Sequence, residues 1–207
     1  MVLGMIFERF NPEIHDYHKL ASLTYDVDFR TYEMVFKDKE SALFVIEEQL
    51  LAEFNLGESD DYYFMVILDD YRKILGMVKI SIGKTHEFCK ETIFLFKYLR
   101  IRDASKLFRV LFLDNLVLAN VNKDDLYIGE IAIDSSNRGQ GIGKQVINRI
   151  IHYAKIKGFK RVVLDADFRN SGALRLYESL GFRIFDKKSS KLLHPERGMY
   201  NLEYVLK

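Results

Sequence analysis

Three glycines in five positions, within Arg138-Gly139-Gln140-Gly141-Ile142-Gly143, fix one joint of this fold. They stand between a strand-like run, Tyr127–Asp134, and a helix-like run, Gly141–Lys157. A strand must therefore end in a tight loop and pass straight into a helix, which points to a fold that mixes the two element types. The first backbone N–H groups of such a helix have no internal partner, and its N-terminal end is electropositive. A phosphate or pyrophosphate suits that end, and Arg138 and Lys144 add positive charge there.

The spacing excludes two familiar phosphate loops. A Walker loop needs a glycine five positions before its Gly-Lys pair, and Ser or Thr after it. Here Arg138 holds the first place and Gln145 follows Gly143-Lys144. A dinucleotide fingerprint needs a third glycine three residues after the second, and Lys144 stands there. Asp165, at the end of the next strand-like run, only imitates the ribose-binding acid of that fold.

A second pattern lies about thirty residues downstream: Asn170, Ala173, Leu176, Tyr177, Gly181 and Phe182 form N-x-x-A-x-x-L-Y-x-x-x-G-F. With Arg138-x-x-Gly141-x-Gly143 ahead of it, this stretch resembles the GCN5-related N-acetyltransferase (GNAT) family, whose loop runs Q/R-x-x-G-x-G/A. The resemblance covers Tyr127 to Phe185. It implies an α/β (α+β) fold with a central mixed, mostly antiparallel twisted sheet and helices on both faces. It also implies an acyltransferase that passes an acetyl group from acetyl-CoA to a primary amine, while composition makes the cytoplasm the default compartment. An idle acyl-CoA-binding sensor or interaction module is the alternative, since fold resemblance alone does not separate the two.

The 207-residue chain is long enough for one domain with a substantial core, 1–207, carrying one insertion. Lys and Arg number 31 against 30 Asp and Glu, so no global field argues for nucleic acid. Cys89 is the only cysteine, which excludes an internal disulfide and suits a reducing compartment. Glu8 and Arg9 interrupt the N-terminal stretch, which lacks a signal-type apolar core.

Met5–Phe10 reads as a first strand, and Asn11-Pro12 as a cap and first residue of a helix reaching Tyr25. Leu43, Ile46, Leu50 and Phe54 lie near one stripe of a second helix, Ser41–Phe54. Two apolar strands follow, Tyr62–Leu68 and Ile74–Ile82, joined by a turn over Asp69–Lys73. Residues 84–125 depart from the family as a helical insertion between the third and fourth strands, with Ile93–Leu99 and Leu107–Leu118 apolar and helical. Arg109, Asp114 and Asn115 break its longest apolar run, so no transmembrane span is expected. A lid over the acceptor site, a homodimer surface, a helix lying on a membrane and plain core cover all remain open for it. Beyond the loop come a strand over Arg161–Ala166, a short helix capped by Asn170 or Ser171, a strand from Phe182, and a last strand, Met199–Leu206.

The resemblance carries roles to particular residues. The loop of Arg138, Gly139, Gln140, Gly141, Ile142, Gly143 and Lys144 would hold the pyrophosphate of acetyl-CoA. The backbone of Ile131, Ala132 and Ile133 would pair with the peptide-like pantetheine arm and supply an oxyanion donor. Asn170 matches a position that touches the cofactor arm, and is equally a plain helix cap. Tyr177 would donate a proton to the departing thiolate, or else serve as a core aromatic. Glu130 is the first candidate for the base, against a plain structural carboxylate; the family often carries its glutamate elsewhere on this strand, and Tyr127 occupies one such place. No metal is expected: His15 and His18 stand three apart with no third ligand in view. The acceptor, a small molecule or a protein amine, would enter near Asp26, Asp28 and Glu33, which suit a cationic amine and equally an ordinary turn.

Overall fold

The computed structural model describes residues 4–55, 57, 60–83, 97, 100–102, 104, 105, 108, 112, 115–190 and 198–206. In chain order its first elements are β1 (Ile6–Arg9), α1 (Tyr17–Val27), α2 (Phe29–Val35), α3 (Lys39–Asn55), β2 (Tyr62–Leu68) and β3 (Ile74–Ile82). After the insertion come β4 (Asp125–Ile133), a 3-10 turn (Ser135–Asn137), α4 (Ile142–Ile156), β5 (Arg161–Asp167), α5 (Ser171–Ser179), β6 (Arg183–Ser189) and β7 (Gly198–Val205). The strands form one seven-stranded sheet in the order β1-β2-β3-β4-β5-β7-β6. β4 and β5 run parallel, whereas β1 and β2, β5 and β7, and β6 and β7 are antiparallel. This is the mixed, mostly antiparallel sheet that the family resemblance implied.

The described residues fall into two compact units. The first takes its residues from Met1–Lys79, His86–Arg109 and Glu130–Arg138; the second from Ile80–Thr85, Val110–Gly129 and Gly139–Lys207. In the first unit the apolar stripes of α1 and α3 bury Leu20, Ala21, Leu23, Ala42, Ile46 and Leu50. These pack with Phe10, Phe64, Val66, Leu68, Met77 and Ala132 into one core. The turn from β2 to β3 closes as the spacing predicts. Asp69 N donates to Lys73 O at 3.0 Å, and Asp69 Oδ1 accepts from the N–H groups of Tyr71 and Lys73, each at 2.9 Å.

The first helix starts later than the sequence suggests. Asn11 O accepts from Ile14 N and His15 N, the Asn11 side chain accepts from Glu13 N, and Asn11 N donates to His15 Nδ1. Those bonds close a separate turn, so Pro12 opens that turn and not the helix. Asp16 then caps α1, its carboxylate accepting from Lys19 N at 3.0 Å. The short α2 was not foreseen; the stretch that read as an ordinary turn coils from Phe29 onward.

In the second unit α4 buries Ile142, Val146, Ile147, Ile150 and Ala154 at helical spacing. β5 keeps register with β4 from Asp125↔Arg161 to Ile128↔Leu164, and β4 then continues five residues to Ile133. Asp165 is held by structure here. It accepts from the Tyr127 hydroxyl at 2.7 Å and from Ala119 N at 3.1 Å, and Asn201 Nδ2 also donates to it. Residues 101, 102, 104, 105, 108 and 112 of the insertion are helical, and Asn115–Val117 form a turn, which ends the expected helix before Leu118. Cys89 and most of Ile93–Leu99 lie outside the described residues.

Candidate active site

The glycine loop is built by its neighbours in sequence. Asp134 ends β4 with its N–H on Leu75 O at 2.9 Å, and its carboxylate accepts from Ser136 N at 2.9 Å, closing the 3-10 turn. Lys19 of α1 pairs with the same carboxylate. That ammonium, with Ser136, holds the Asp134 carboxyl down at about 2. Arg138 follows in extended conformation, exposed, with Nε donating to Ile133 O at 3.0 Å. Gly139 and Gly141 then both take φ of +77°, where a side chain is strained although a Cβ at either would meet open space. Their conformation, not crowding, is what requires glycine. Gly141 is also the N-cap of α4, with no side chain capping it, so the helix start keeps donors for an anion. Lys144 is exposed in its first turn.

Ile131 and Ile133 are half-buried on β4 and Ala132 is buried. Gly76 lets β3 come close: a Cβ there would clash with Ala132 O.

Glu130 lies on the face of β4 that also carries Ala132, toward the core under α1 and α3. Its side chain is only 16% exposed, and Oε2 is 3.4 Å from Lys79 Nζ. Oε1 accepts no hydrogen bond among the described residues. Burial pushes the Glu130 carboxyl above the usual range, while Lys79 and the Thr24 hydroxyl pull against that rise. Lys79 also approaches Glu53 Oε2 at 3.5 Å, and the Tyr62 hydroxyl donates to that Glu53 oxygen at 3.3 Å.

Asn170 and Tyr177 share α5 in the second unit. Asn170 is exposed and caps the helix, its Oδ1 accepting from Ala173 N at 3.0 Å. Tyr177 is 6% exposed, and its ring lies 6.0 Å from that of Phe182. Burial alone pushes its phenol up to about 12. It therefore keeps its proton at neutral pH, as an acid must.

His15 and His18 do not converge: His15 Nε2 meets Glu8, and His18 Nδ1 meets Glu47. Among the described residues no group of three or more metal-binding side chains occurs, and no helix is long and apolar enough to cross a membrane. A cavity of about 380 Å³ in the first unit is lined by His15, Lys19, Arg72, Asp134 and Ser136 among others. It lies beside the Asp134 anchor, and Glu130 is not in its wall. Lys19 and Arg72 in its wall are already paired, with Asp134 and Glu8.

Sequence reading missed Lys79, Glu53 and the Lys19–Asp134 pair. Asp134-Ser135-Ser136 does carry a local signal, an acidic residue placed to cap a turn. Lys79 carries only the oddity of a lysine in an apolar strand.

A model of the acetyltransferase (GNAT) family matches residues 23–182. Human N-acetyltransferase 8B is 36% identical over 58 residues, covering 28% of this chain and 26% of that protein. N-alpha-acetyltransferase 30 of Xenopus laevis is 43% identical over 63 residues, 30% of this chain and 22% of that protein. The chain thus matches about a quarter of the length of these curated relatives. The spermidine N-acetyltransferase of Vibrio cholerae, solved with CoA and spermine, has a TM-score of 0.60 at 14% identity, covering 97% of this chain and 95% of that one. At that identity the likeness is one of fold.

Proposed function

This chain belongs to the GNAT acetyltransferase family, and we propose that it transfers an acetyl group from acetyl-CoA directly to a primary amine, in the cytoplasm. The observation that carries this reading is the uncapped start of α4, reached from β4 through the 3-10 turn and two left-handed glycines. The space beside both glycines is open, and free N–H groups at a helix start suit a phosphate-bearing ligand.

Acetyl-CoA supplies the acyl group activated as a thioester. The N–H groups from Gly141 to Lys144 hold its pyrophosphate, and Arg138 adds charge. Backbone groups of Ile131, Ala132 and Ile133 line the pantetheine arm, and one N–H among them stabilises the carbonyl oxygen as charge develops there. Asn170 meets the arm from the cap of α5. An acceptor alkylamine has a pKa of about 10, so it arrives protonated. Glu130 Oε1 takes that proton, directly or through a water. The freed nitrogen bonds to the carbonyl carbon as the carbon–sulfur bond breaks. The Tyr177 hydroxyl gives its proton to the departing sulfur and regains one from solvent. The amide nitrogen sheds its extra proton, so the products are an N-acetyl amine, a thiol and one proton. Holding both reactants in one site supplies much of the rate.

The test is thermal. With acetyl-CoA at a hundred times its dissociation constant, the protein should gain about 2.7 kcal/mol of stability, with no gain from NAD or ATP. Arg138→Ala should weaken binding about tenfold, the loss of one charge-assisted contact. Amines from polyamines, lysine peptides and α-amino peptides are then screened for acetylation. A cooperative melt that acetyl-CoA leaves unmoved contradicts the proposal; binding without transfer to any amine favours the idle sensor.

A further inference from the structure

A buried lysine is rare unless it is paired, and β3 carries one in the middle of an apolar run. Lys79 is 11% exposed in a strand whose interior is otherwise Leu75, Gly76, Met77, Val78, Ile80 and Ser81, all buried. It shares a face with Met77, toward the α1–α3 core. Its ammonium lies 3.4 Å from Glu130 Oε2 and 3.5 Å from Glu53 Oε2. The Phe64 ring sits beneath it, with the nitrogen 5.0 Å from the centroid. One cation thus serves two carboxylates from different elements, and with both ionised the cluster carries one negative charge in excess.

The two oxygens of Glu130 are treated differently. Oε2 faces the ammonium, and Oε1 is buried with no hydrogen-bond partner among the described residues. A carboxylate that only supports the fold gains nothing from an oxygen left unpaired, because an unmet buried acceptor costs stability. A carboxylate that receives a proton needs one oxygen held and the other free of a protein donor.

We infer that Lys79 is a positioning residue for the proposed base: it holds Glu130 through Oε2, leaves Oε1 without a hydrogen-bond partner, and is itself shared with Glu53, which acts as a counterweight. The inference rests on the acetyltransferase reading, with Glu130 as base. The groups facing Glu130 come from every element around it: Lys79 on β3, Glu53 on α3, Tyr32 on α2, Tyr62 on β2 and the Thr24 hydroxyl on α1. Lys79 favours the ionised carboxylate, and Glu53 opposes it by claiming part of the same ammonium. Burial works against the lysine's charge, yet the surrounding field of Glu53 and Glu130 holds its proton well above the usual lysine range. It therefore stays a cation wherever Glu130 titrates.

Opposite changes should follow from the two neighbours. Lys79→Met leaves two half-buried carboxylates with no cation, so Glu130 titrates higher, by about one to three pH units. Glu53→Gln gives the whole ammonium to Glu130, which then titrates lower. Lys79→Arg keeps the charge and should restore most of the native midpoint.

The measurement is a pH titration of the full-length protein labelled with 13C at glutamate carboxyls, with the Glu130 resonance assigned by its loss in Glu130→Gln. The expected result is an upward midpoint in Lys79→Met, a downward one in Glu53→Gln, and a near-native one in Lys79→Arg. A Glu53→Gln midpoint that stays put or rises overturns the inference. That variant keeps a balanced Lys79–Glu130 pair, so it decides the matter even if Lys79→Met does not fold. The base reading fails separately: if Glu130→Gln acetylates a polyamine or peptide amine at the native rate, Glu130 is not the base, whatever its midpoint.

Discussion

Tyr177, buried, and Glu130, half-buried, are both ionisable groups held away from their ordinary proton affinities, and they get there by different routes. Tyr177 sits among apolar neighbours in the second unit, and burial alone lifts its phenol to about 12. Glu130 sits in the first unit among Lys79, Glu53, Tyr32 and Tyr62, and burial raises its carboxyl against the pull of the lysine. An acid that must keep its proton needs only a dry pocket. A base that must lose and regain one needs a cation nearby and an oxygen free of a protein donor. The difference teaches that one role can be written in a short motif, while the other must be assembled from many elements.

The largest break in that comparison should come from Glu130→Gln. It removes the proposed proton acceptor and should lower kcat/KM about a thousandfold near neutral pH, within the range for a lost general base. An unchanged far-ultraviolet spectrum and melting temperature would place the loss in chemistry. Tyr177→Phe should cost about a hundredfold in kcat and leave the Kd for acetyl-CoA unchanged, since the ring and its packing on Phe182 remain. A rate equal to the native one at every pH would assign Tyr177 to the core instead. The smallest effect belongs to Asp134→Asn, which loosens the anchor of the glycine loop. Its carboxyl is held down at about 2 from an ordinary 3.8. That stabilisation is therefore full above pH 4 and is lost as pH falls toward 2. With Lys19 partly exposed, the variant should lose about 1 kcal/mol at neutral pH. Its stability should also vary less than the native protein's across that acid window, as read by urea unfolding.

Sequence spacing gave away the stretch from β4 to α5 because each junction there is marked by local chemistry. Gly139 and Gly141 need left-handed backbone, Asn170 caps α5 through its own side chain, and α4 buries the residues its period selects. The N-terminal region was harder. Asn11 and Pro12 look like a helix start, yet Asn11 spends its hydrogen bonds on a turn with Glu13, Ile14 and His15, and Asp16 caps the helix instead. Nothing at the level of residue preference decides between two good caps five positions apart. Lys79 was illegible for a deeper reason. Its meaning comes from Glu53 and Glu130, 26 residues before it and 51 after it in the numbering, and only the sheet and α3 bring them together. Asp165 shows the reverse: it resembles a ribose-binding acid in sequence but is used up by Tyr127, Ala119 and Asn201.

The most direct test of the account is the pH–rate profile of acetyl transfer to one amine acceptor, measured for the native protein, Glu130→Gln and Tyr177→Phe. A base acts only when deprotonated, so the native rate should climb through the raised titration of Glu130. Glu130→Gln should lose that climb. Tyr177→Phe should keep it and lie below the native curve by a constant factor up to about pH 10, because the native phenol holds its proton throughout that range. A climb that survives in Glu130→Gln, or a Tyr177→Phe curve that lies on the native one, would contradict the division of labour between the two residues.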